Sequence, residues 1–279
     1  MTNMTLSVLM AVYKSERAEH FDRSLQSVWD DQTLKPNQIV LIVDGPIGDE
    51  LRQVVNHWKD KLGKILCVVE NEENLGLTKS LNKGLQYITS EYIARADSDD
   101  ISSPSRFKLQ IEYLENHPDV DILGGSMQEF NEKCDCLNIR NYPLTHEQAR
   151  KYIVKASPLA HPSVVMRKKI FDEGLRYNEK YRTSQDIALW FDALLAGYRI
   201  ANLDEIILLF RQSGDVFKRR GRAKAWNEFK IFMHGIYQIK GLFTWNYIYP
   251  ITRLIFRMMP DNIIRMVYQS NIRNRMLQD

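Results

Sequence analysis

Tyr92-Ile-Ala-Arg-Ala-Asp97-Ser-Asp99-Asp100-Ile101 is an apolar run that empties into three carboxylates within four residues. A short apolar run bounded by turn residues reads as a buried strand, so the acids stand at a strand's carboxyl end. Three ionised acids this close repel one another. A hard divalent cation with oxygen ligands, Mn2+ or Mg2+, relieves that repulsion and can bridge to phosphate oxygens. The competing reading is a solvated turn whose acids cap the helix that follows Pro104.

Working outward, Leu6–Val12, Gln38–Val43 and Ile65–Val69 read as further buried strands. Between them, Phe21, Leu25, Val28 and Trp29 recur at helical spacing, as do Leu51, Val54, Val55 and Trp58, and then Leu77, Leu81, Leu85 and Ile88. Strand–helix alternation implies right-handed crossovers and a mainly parallel, Rossmann-like sheet flanked by helices. Ligands of such sheets bind beyond the carboxyl ends of the strands. That rule singles out Ala11–Arg17, Asp44–Gly48 and Asp97–Ser103.

Further along, Phe107, Ile111 and Leu114 predict a helix started by Ser103-Pro104 and stopped before Pro118. Asp121–Phe130 reads as a strand, and Cys134–His161 as looser structure. A helix is expected over Ser184–Gly197 and a strand over Ile200–Phe210. From Ala223 the pattern is helical, with breaks at Gly241, Pro250 and Pro260. The expected organisation is one domain over 1–214, in two halves that meet near 103/104, then a helical C-terminal extension over 215–279.

Several residues carry candidate chemistry. Asp44, in Leu41-Ile-Val-Asp44-Gly45-Pro46, ends a strand, where an acid can accept from a ribose hydroxyl or a base N–H; Asp-Gly-Pro is also ordinary turn chemistry. Asn74-Leu-Gly76-Leu-Thr-Lys79 opens a helix that can aim backbone N–H groups, and Lys79, at phosphates. It lacks the spacing of a P-loop, and no Gly-x-Gly-x-x-Gly follows the first strand. Gly84 fits close helix–sheet packing better than ligand contact. Asp186 begins the helix after Thr183-Ser184-Gln185, where the helix dipole should keep it ionised, as a general base requires. His161 precedes Pro162 and is either a structural histidine or a site residue. Arg211, with Arg219 and Arg220, can bind a diphosphate or form a solvated basic face.

Composition bounds these readings. Of 279 residues, 44% are hydrophobic and 26% charged, the balance of a globular chain rather than a disordered one. No signal-peptide pattern opens the sequence, and no uncharged apolar run approaches the roughly 20 residues a spanning helix needs. A cytoplasmic location is the expectation, with three cysteines suited to a reducing compartment. Cys134 and Cys136 have no second Cys/His pair nearby to complete a zinc site. The net charge of +3 hides an asymmetry: from Asp215 to Asp279 stand 12 Lys/Arg against 4 Asp/Glu. A basic tail on an acidic body calls for an anionic partner.

Taken in order, these segments resemble the family 2 glycosyltransferases, of GT-A fold. The resemblance spans roughly 5–212. Val8-Leu-Met-Ala-Val12-Tyr13 is similar to the strand that cups the uracil, Asp44 to the acid at the base, and Asn74-x-Gly76 with Asn82-x-Gly84 to the motif before the metal. Asp97-Ser-Asp99-Asp100 looks like the Asp-x-Asp signature, followed by Pro104 and Arg106. Gln185-Asp186 with Leu189-Trp190 resembles the Glu-Asp and Leu-Trp pairs, with Gln in place of the commoner Glu. The resemblance implies that Asp99, with Asp97, holds the divalent ion of a UDP-sugar. Asp186 would be the base of a single inverting displacement, giving a β-glycoside from an α-linked donor. Val12, Tyr13, Asp44, Asn74, Gly76, Lys79, Asp97 and Arg106 would serve the donor, and His161 and Arg211 the acceptor or a diphosphate.

In the tail, Trp226, Phe229, Met233, Ile236 and Tyr237 form one stripe, and Ile251, Leu254, Ile255 and Met258 a second, with Arg253, Arg257 and Arg265 interleaved. Such material suits a membrane interface or a lid packed on the catalytic domain. No nucleic-acid-binding motif accompanies the charge. A soluble domain with such a tail resembles the bacterial enzymes of O-antigen and lipopolysaccharide repeat assembly. Those act at the inner membrane's cytoplasmic face on a sugar carried by undecaprenyl diphosphate. UDP-galactose is the favoured donor by resemblance, ahead of UDP-glucose. A sugar nucleotidyltransferase would want a Gly-rich, Arg-containing loop after the first strand, and Ala11-Val-Tyr-Lys-Ser-Glu16 is not one. A catalytically silent nucleotide- or membrane-binding protein would not need the acids intact.

Overall fold

Leu6–Val12 (β1) carries apolar side chains on both faces, so it must be covered on both sides. Val8 and Met10 point into one buried cluster and Leu9 into the other, the period-2 alternation of a pleated strand. The structure, a computed structural model, describes residues 4–212 and 222–258. After β1 come α1 (Ala18–Val28), β2 (Gln38–Val43), α2 (Asp49–Leu62), β3 (Leu66–Glu70), α3 (Leu77–Leu85) and β4 (Tyr92–Arg95). Next are β5 (Ile101–Ser102), α4 (Arg106–Asn116), β6 (Ile122–Phe130), β7 (Cys136–Arg140), α5 (His146–Tyr152), β8 (Val165–Arg167) and α6 (Lys169–Asp172). The described chain closes with α7 (Gln185–Leu195), β9 (Ile200–Arg211), α8 (Arg222–Lys240) and α9 (Ile248–Met258).

The sheet runs β3-β2-β1-β4-β8-β6-β9-β5, with β7 added to β6. β3, β2, β1 and β4 are mutually parallel, and β9 is parallel to β6. β8, inserted between β4 and β6, is antiparallel to both. On one face, α1, α2 and α4 bury Phe21, Leu25, Trp58, Phe107 and Ile111. On the other, α3, α7 and α8 bury Leu81, Leu85, Leu189, Trp190 and Phe232. Gly84 is the close approach of α3 to the sheet: a Cβ there would stand 2.5 Å from a Leu9 methyl. The chain steps from β1 outward through β2 to β3, then returns to the other side of β1 for β4. Loops after β1 and β4 therefore part, and a cleft opens between them.

Three local expectations change. Cys134–His161 is more ordered than its composition foretold: it holds β7 and α5. The signal was present in Thr145-x-x-Gln148, a capping box in which the Thr145 hydroxyl accepts from the Gln148 N–H at 3.3 Å. Pro250 does not break the tail. It sits third in α9, in the first turn, where no intrahelical partner awaits its missing N–H. The stripe facing the core of α8 is also rotated: Ala225, Glu228, Ile231, Phe232 and Ile236 are buried, whereas Trp226 and Tyr237 are exposed. Two contacts cause the rotation. Gly235 lets α8 close onto Phe191 of α7, where a Cβ would lie 2.3 Å from the ring. Glu228 turns inward because Arg253 (3.1 Å) and Arg257 of α9 pair with it. Those arginines thus fasten α9 to α8 instead of standing free among apolar residues. Arg219, Arg220, Pro260 and Arg265, and the boundary at 214/215, lie outside the described residues.

Candidate active site

The loops after β1, β2 and β4 converge on a cavity of about 490 Å³. Ala11, Val12 and Tyr13 form one wall, Asp44, Asn74 and Gly76 a second, and Asp97, Ser98 and Asp99 the floor beside β4. Phe210 and Arg211, ending β9, close the far side. Among the described residues this is where three acids meet: oxygens of Asp97, Asp99 and Asp100 lie within 4.8 Å of one another.

The acids are not equivalent. Asp97 is ion-paired with the Nη1 of Arg95, a buried side chain at the end of β4. Asp99 offers its backbone carbonyl to the Nε of Arg211 at 2.9 Å. Asp100 is buried, and its Oδ1 accepts from the Arg211 N–H at 2.9 Å while Oδ2 has no hydrogen-bond partner. Burial first, then Asp97 and Asp99 alongside, hold the Asp100 carboxyl well above the usual range. A buried, unpartnered carboxylate oxygen beside two other acids is a donor set for a hard divalent cation, so these residues fit Mn2+ or Mg2+.

Asp44 does two jobs at the wall. Its Oδ1 accepts from the Leu75 N–H (2.8 Å) and Asn71 Nδ2 (2.9 Å), and its Oδ2 from the Gly76 N–H (2.9 Å). The carboxylate therefore shapes the turn into α3 while standing at the cavity edge. Gly45 is required beside it: with φ 85°, a Cβ would stand 2.7 Å from the Asn74 nitrogen. Arg211 sits over Phe130, its guanidinium carbon 4.5 Å from the ring centroid, with its Nε spent on the acid loop.

Four expected residues, Arg106, His161, Lys79 and Asp186, fall off the cavity wall. Arg106 is fully buried, donating to Ser102 Oγ (2.9 Å), the Arg95 carbonyl (2.8 Å) and Gln110 Oε1 (3.1 Å). It braces β4 from behind rather than meeting a nucleotide, because a guanidinium in the core must spend its donors on carbonyls. His161 is buried against Tyr177, 2.8 Å from its hydroxyl, and burial holds its pKa well below the usual value, so it is a neutral core residue. Lys79 is exposed on α3 and does not line the cavity.

Asp186 opens α7 after Ser184, whose φ of 59° is left-handed. It too lies off the cavity wall, half-buried. Burial raises its pKa, outweighing the opposing N–H groups of the first turn, so desolvation and not the helix terminus sets its proton affinity. Four residues earlier, Arg182 approaches Gly76 of the cavity wall, its Nε 3.6 Å from where a Cβ would sit.

Sequence reasoning passed over Arg95, Arg182, His20 and Glu132. His20 lines the cavity, and burial, then Arg211, lowers its pKa. Glu132, on the β6–β7 turn, crosses to Arg17 at 3.0 Å and so joins the cavity rim. Arg95 stood inside the deciding stretch, between two alanines, and its isolation in an apolar strand was the available signal. Glu132 had none.

Comparison with known proteins bears on the family and the fold. The profile of Glycosyl transferase family 2 matches residues 7–175. The chain is 34% identical over 272 residues to the amylovoran biosynthesis glycosyltransferase AmsE of Erwinia amylovora, covering 95% of this chain and 98% of that one. It is 30% identical to the UDP-Gal:alpha-D-GlcNAc-diphosphoundecaprenol beta-1,3-galactosyltransferase of Escherichia coli, over 96% of both. Among solved structures, residues 1–349 of S. aureus TarS in complex with UDP-GlcNAc superpose with TM-score 0.65 over 91% of this chain and 72% of that one, at 20% identity.

Proposed function

Given that the chain belongs to the family 2 glycosyltransferases, we propose that it transfers a hexose, galactose first, from a UDP-sugar to an amino sugar carried on a lipid diphosphate. The product is a β-linked unit of O-antigen or a related surface polysaccharide. The observation that carries this is the acid cluster: Asp97 and Asp99 stand on the floor of the cavity that Asp44 and the β1 loop also line, with Asp100 buried beside them. The Escherichia coli relative, whose name states such a reaction, supports the donor and acceptor class. UDP-glucose is the alternative donor.

In this reading Asp99 and Asp97 would hold Mn2+ or Mg2+, which would supply positive charge against the departing diphosphate. Val12, Tyr13, Asp44, Asn74 and Gly76 wrap the nucleoside. Arg211 stands beside the phosphates. Asp186 takes the proton of an acceptor hydroxyl as its oxygen attacks the anomeric carbon opposite the leaving UDP. The carbon–oxygen bond to the diphosphate breaks, the centre inverts, and no sugar is held covalently. Among the described residues no helix is long and apolar enough to cross a membrane, and the C-terminal extension brings the protein to the inner membrane's cytoplasmic face.

The test is a screen of UDP-sugars with Mn2+ and a lipid-diphosphate-linked amino sugar, read by product mass and anomeric configuration. Galactose in β-linkage is expected. Asp99→Ala should lose both transfer and metal-dependent UDP binding; Asp186→Ala should lose transfer alone. Normal turnover by Asp186→Ala would remove the base.

A further inference from the structure

The corner between α8 and α9 leaves aromatic side chains in water. Phe243 is 96% exposed and Trp245 93%. Ile248, Ile251 and Ile255 continue the apolar material along one side of α9, exposed by 53, 41 and 54%. Side chains this exposed have no protein wall beside them, so they form a ridge and not a groove. The ridge is held rigidly: Glu228 clamps Arg253 and Arg257, and Gly235 seats α8 on Phe191 of α7, the helix that begins with Asp186. A cation of the catalytic domain meets α9, and two more precede it in sequence. The Lys155 Nζ stands 5.4 Å from the Tyr249 ring centroid, and Arg150 and Lys151 are exposed on α5 just before it. An apolar ridge with aromatics at its tip and cations at its flank matches an interface of hydrocarbon under anionic headgroups.

We propose that Phe243, Trp245 and the exposed side of α9 insert into an anionic lipid surface, while Arg150, Lys151 and Lys155 take headgroup phosphates. The inference rests on the lipid-borne acceptor proposed above. It differs from the sequence reading in its cations: Arg253 and Arg257 are committed to Glu228, and the headgroup contacts come from the catalytic domain. The surface thus joins both parts of the chain.

The test is co-sedimentation of the full chain with phosphatidylcholine vesicles, with and without phosphatidylglycerol. Binding that requires phosphatidylglycerol is expected. Phe243→Ser with Trp245→Ser should weaken it about tenfold or more. The triple change of Arg150, Lys151 and Lys155 to Gln should weaken it about a hundredfold, at about fivefold per cation. Circular dichroism should be unchanged in both, because every altered side chain is exposed. Wild-type-like binding by either variant overturns the proposal. So does a concentration-dependent dimer that the Phe243/Trp245 variant dissolves while the wild type ignores vesicles. Transfer to a short-chain, water-soluble acceptor separates the two readings: if it persists while vesicle binding fails, only the membrane surface falls.

Discussion

Replacing Asp100 by Asn should stabilise the protein without metal and weaken its response to metal. Asp100 lies within 4.8 Å of both Asp97 and Asp99, measured between carboxylate oxygens. Burial first, and then these neighbours, raise the Asp100 carboxyl. The fold therefore either protonates a group that the unfolded chain ionises, or keeps its charge against a repulsion of about 1 kcal/mol under bulk-water screening and about 3.5 kcal/mol at an effective dielectric near 20; both cost stability. The Arg95 partner of Asp97 offsets part of this. An amide keeps the shape and can still accept from the Arg211 N–H that Oδ1 now uses at 2.9 Å. A net gain of about 1 kcal/mol or more is therefore expected, or roughly 2–4 °C in Tm for a chain of this size. Adding Mn2+ and UDP at about a hundredfold excess over Kd should stabilise the wild type by about 2.7 kcal/mol. The variant, one charge short, should need about fivefold or more metal for the same shift. Thermal unfolding with and without Mn2+ and UDP measures both arms. A variant that melts lower than wild type without metal, or responds to it identically, would refute the argument that a buried charge among acids costs stability here.

Asp186→Asn should cut kcat by about 10²–10⁴ with UDP binding intact. In the wild type the acid limb of the rate profile should lie above the ordinary carboxylate value of 3.8, because burial raises this group. His161 is held neutral in the core, so the unfolded chain takes up a proton that the fold refuses. Stability should be level above pH 6.5 and fall by about 1.4 kcal/mol per pH unit below it, until the depressed native value is reached; denaturant titrations across that window read the slope, which His161→Gln should reduce. His20 and His146, also lowered by burial, act in the same direction. Gly235→Ala places a methyl 2.3 Å from the Phe191 ring and should cost about 1–3 kcal/mol in chemical denaturation, with α8 the first element to lose amide protection in hydrogen exchange.

The parallel half of the sheet was legible because its strands are apolar on both faces and its helices carry plain stripes. β1 and β2 fall on their predicted residues. The positions of the acid cluster, Asp44 and the β1 loop were legible for the same reason: each stands at the carboxyl end of such a strand, which chain order alone announces. In the second half α4, β6, α7 and β9 also lie close to their expected residues, and the short or exposed strands resisted. β7 is exposed along its whole length, and β5 and β8 are two and three residues long. Strands that short or that wet carry no period to read.

What the sequence determined by itself was local: strand and helix periods, the acids after β4, the glycines that permit tight turns, and through motif order the family. What only the tertiary structure decided was which polar side chains face water and which are spent inside. Arg106 and His161 looked like site residues and are core struts; Arg95, Arg182 and Glu132 looked incidental and stand at or beside the cleft. A residue's type fixes its hydrogen-bonding needs, but which distant carbonyl, carboxylate or ring meets them depends on how the layers pack, and no spacing along the chain encodes that distance.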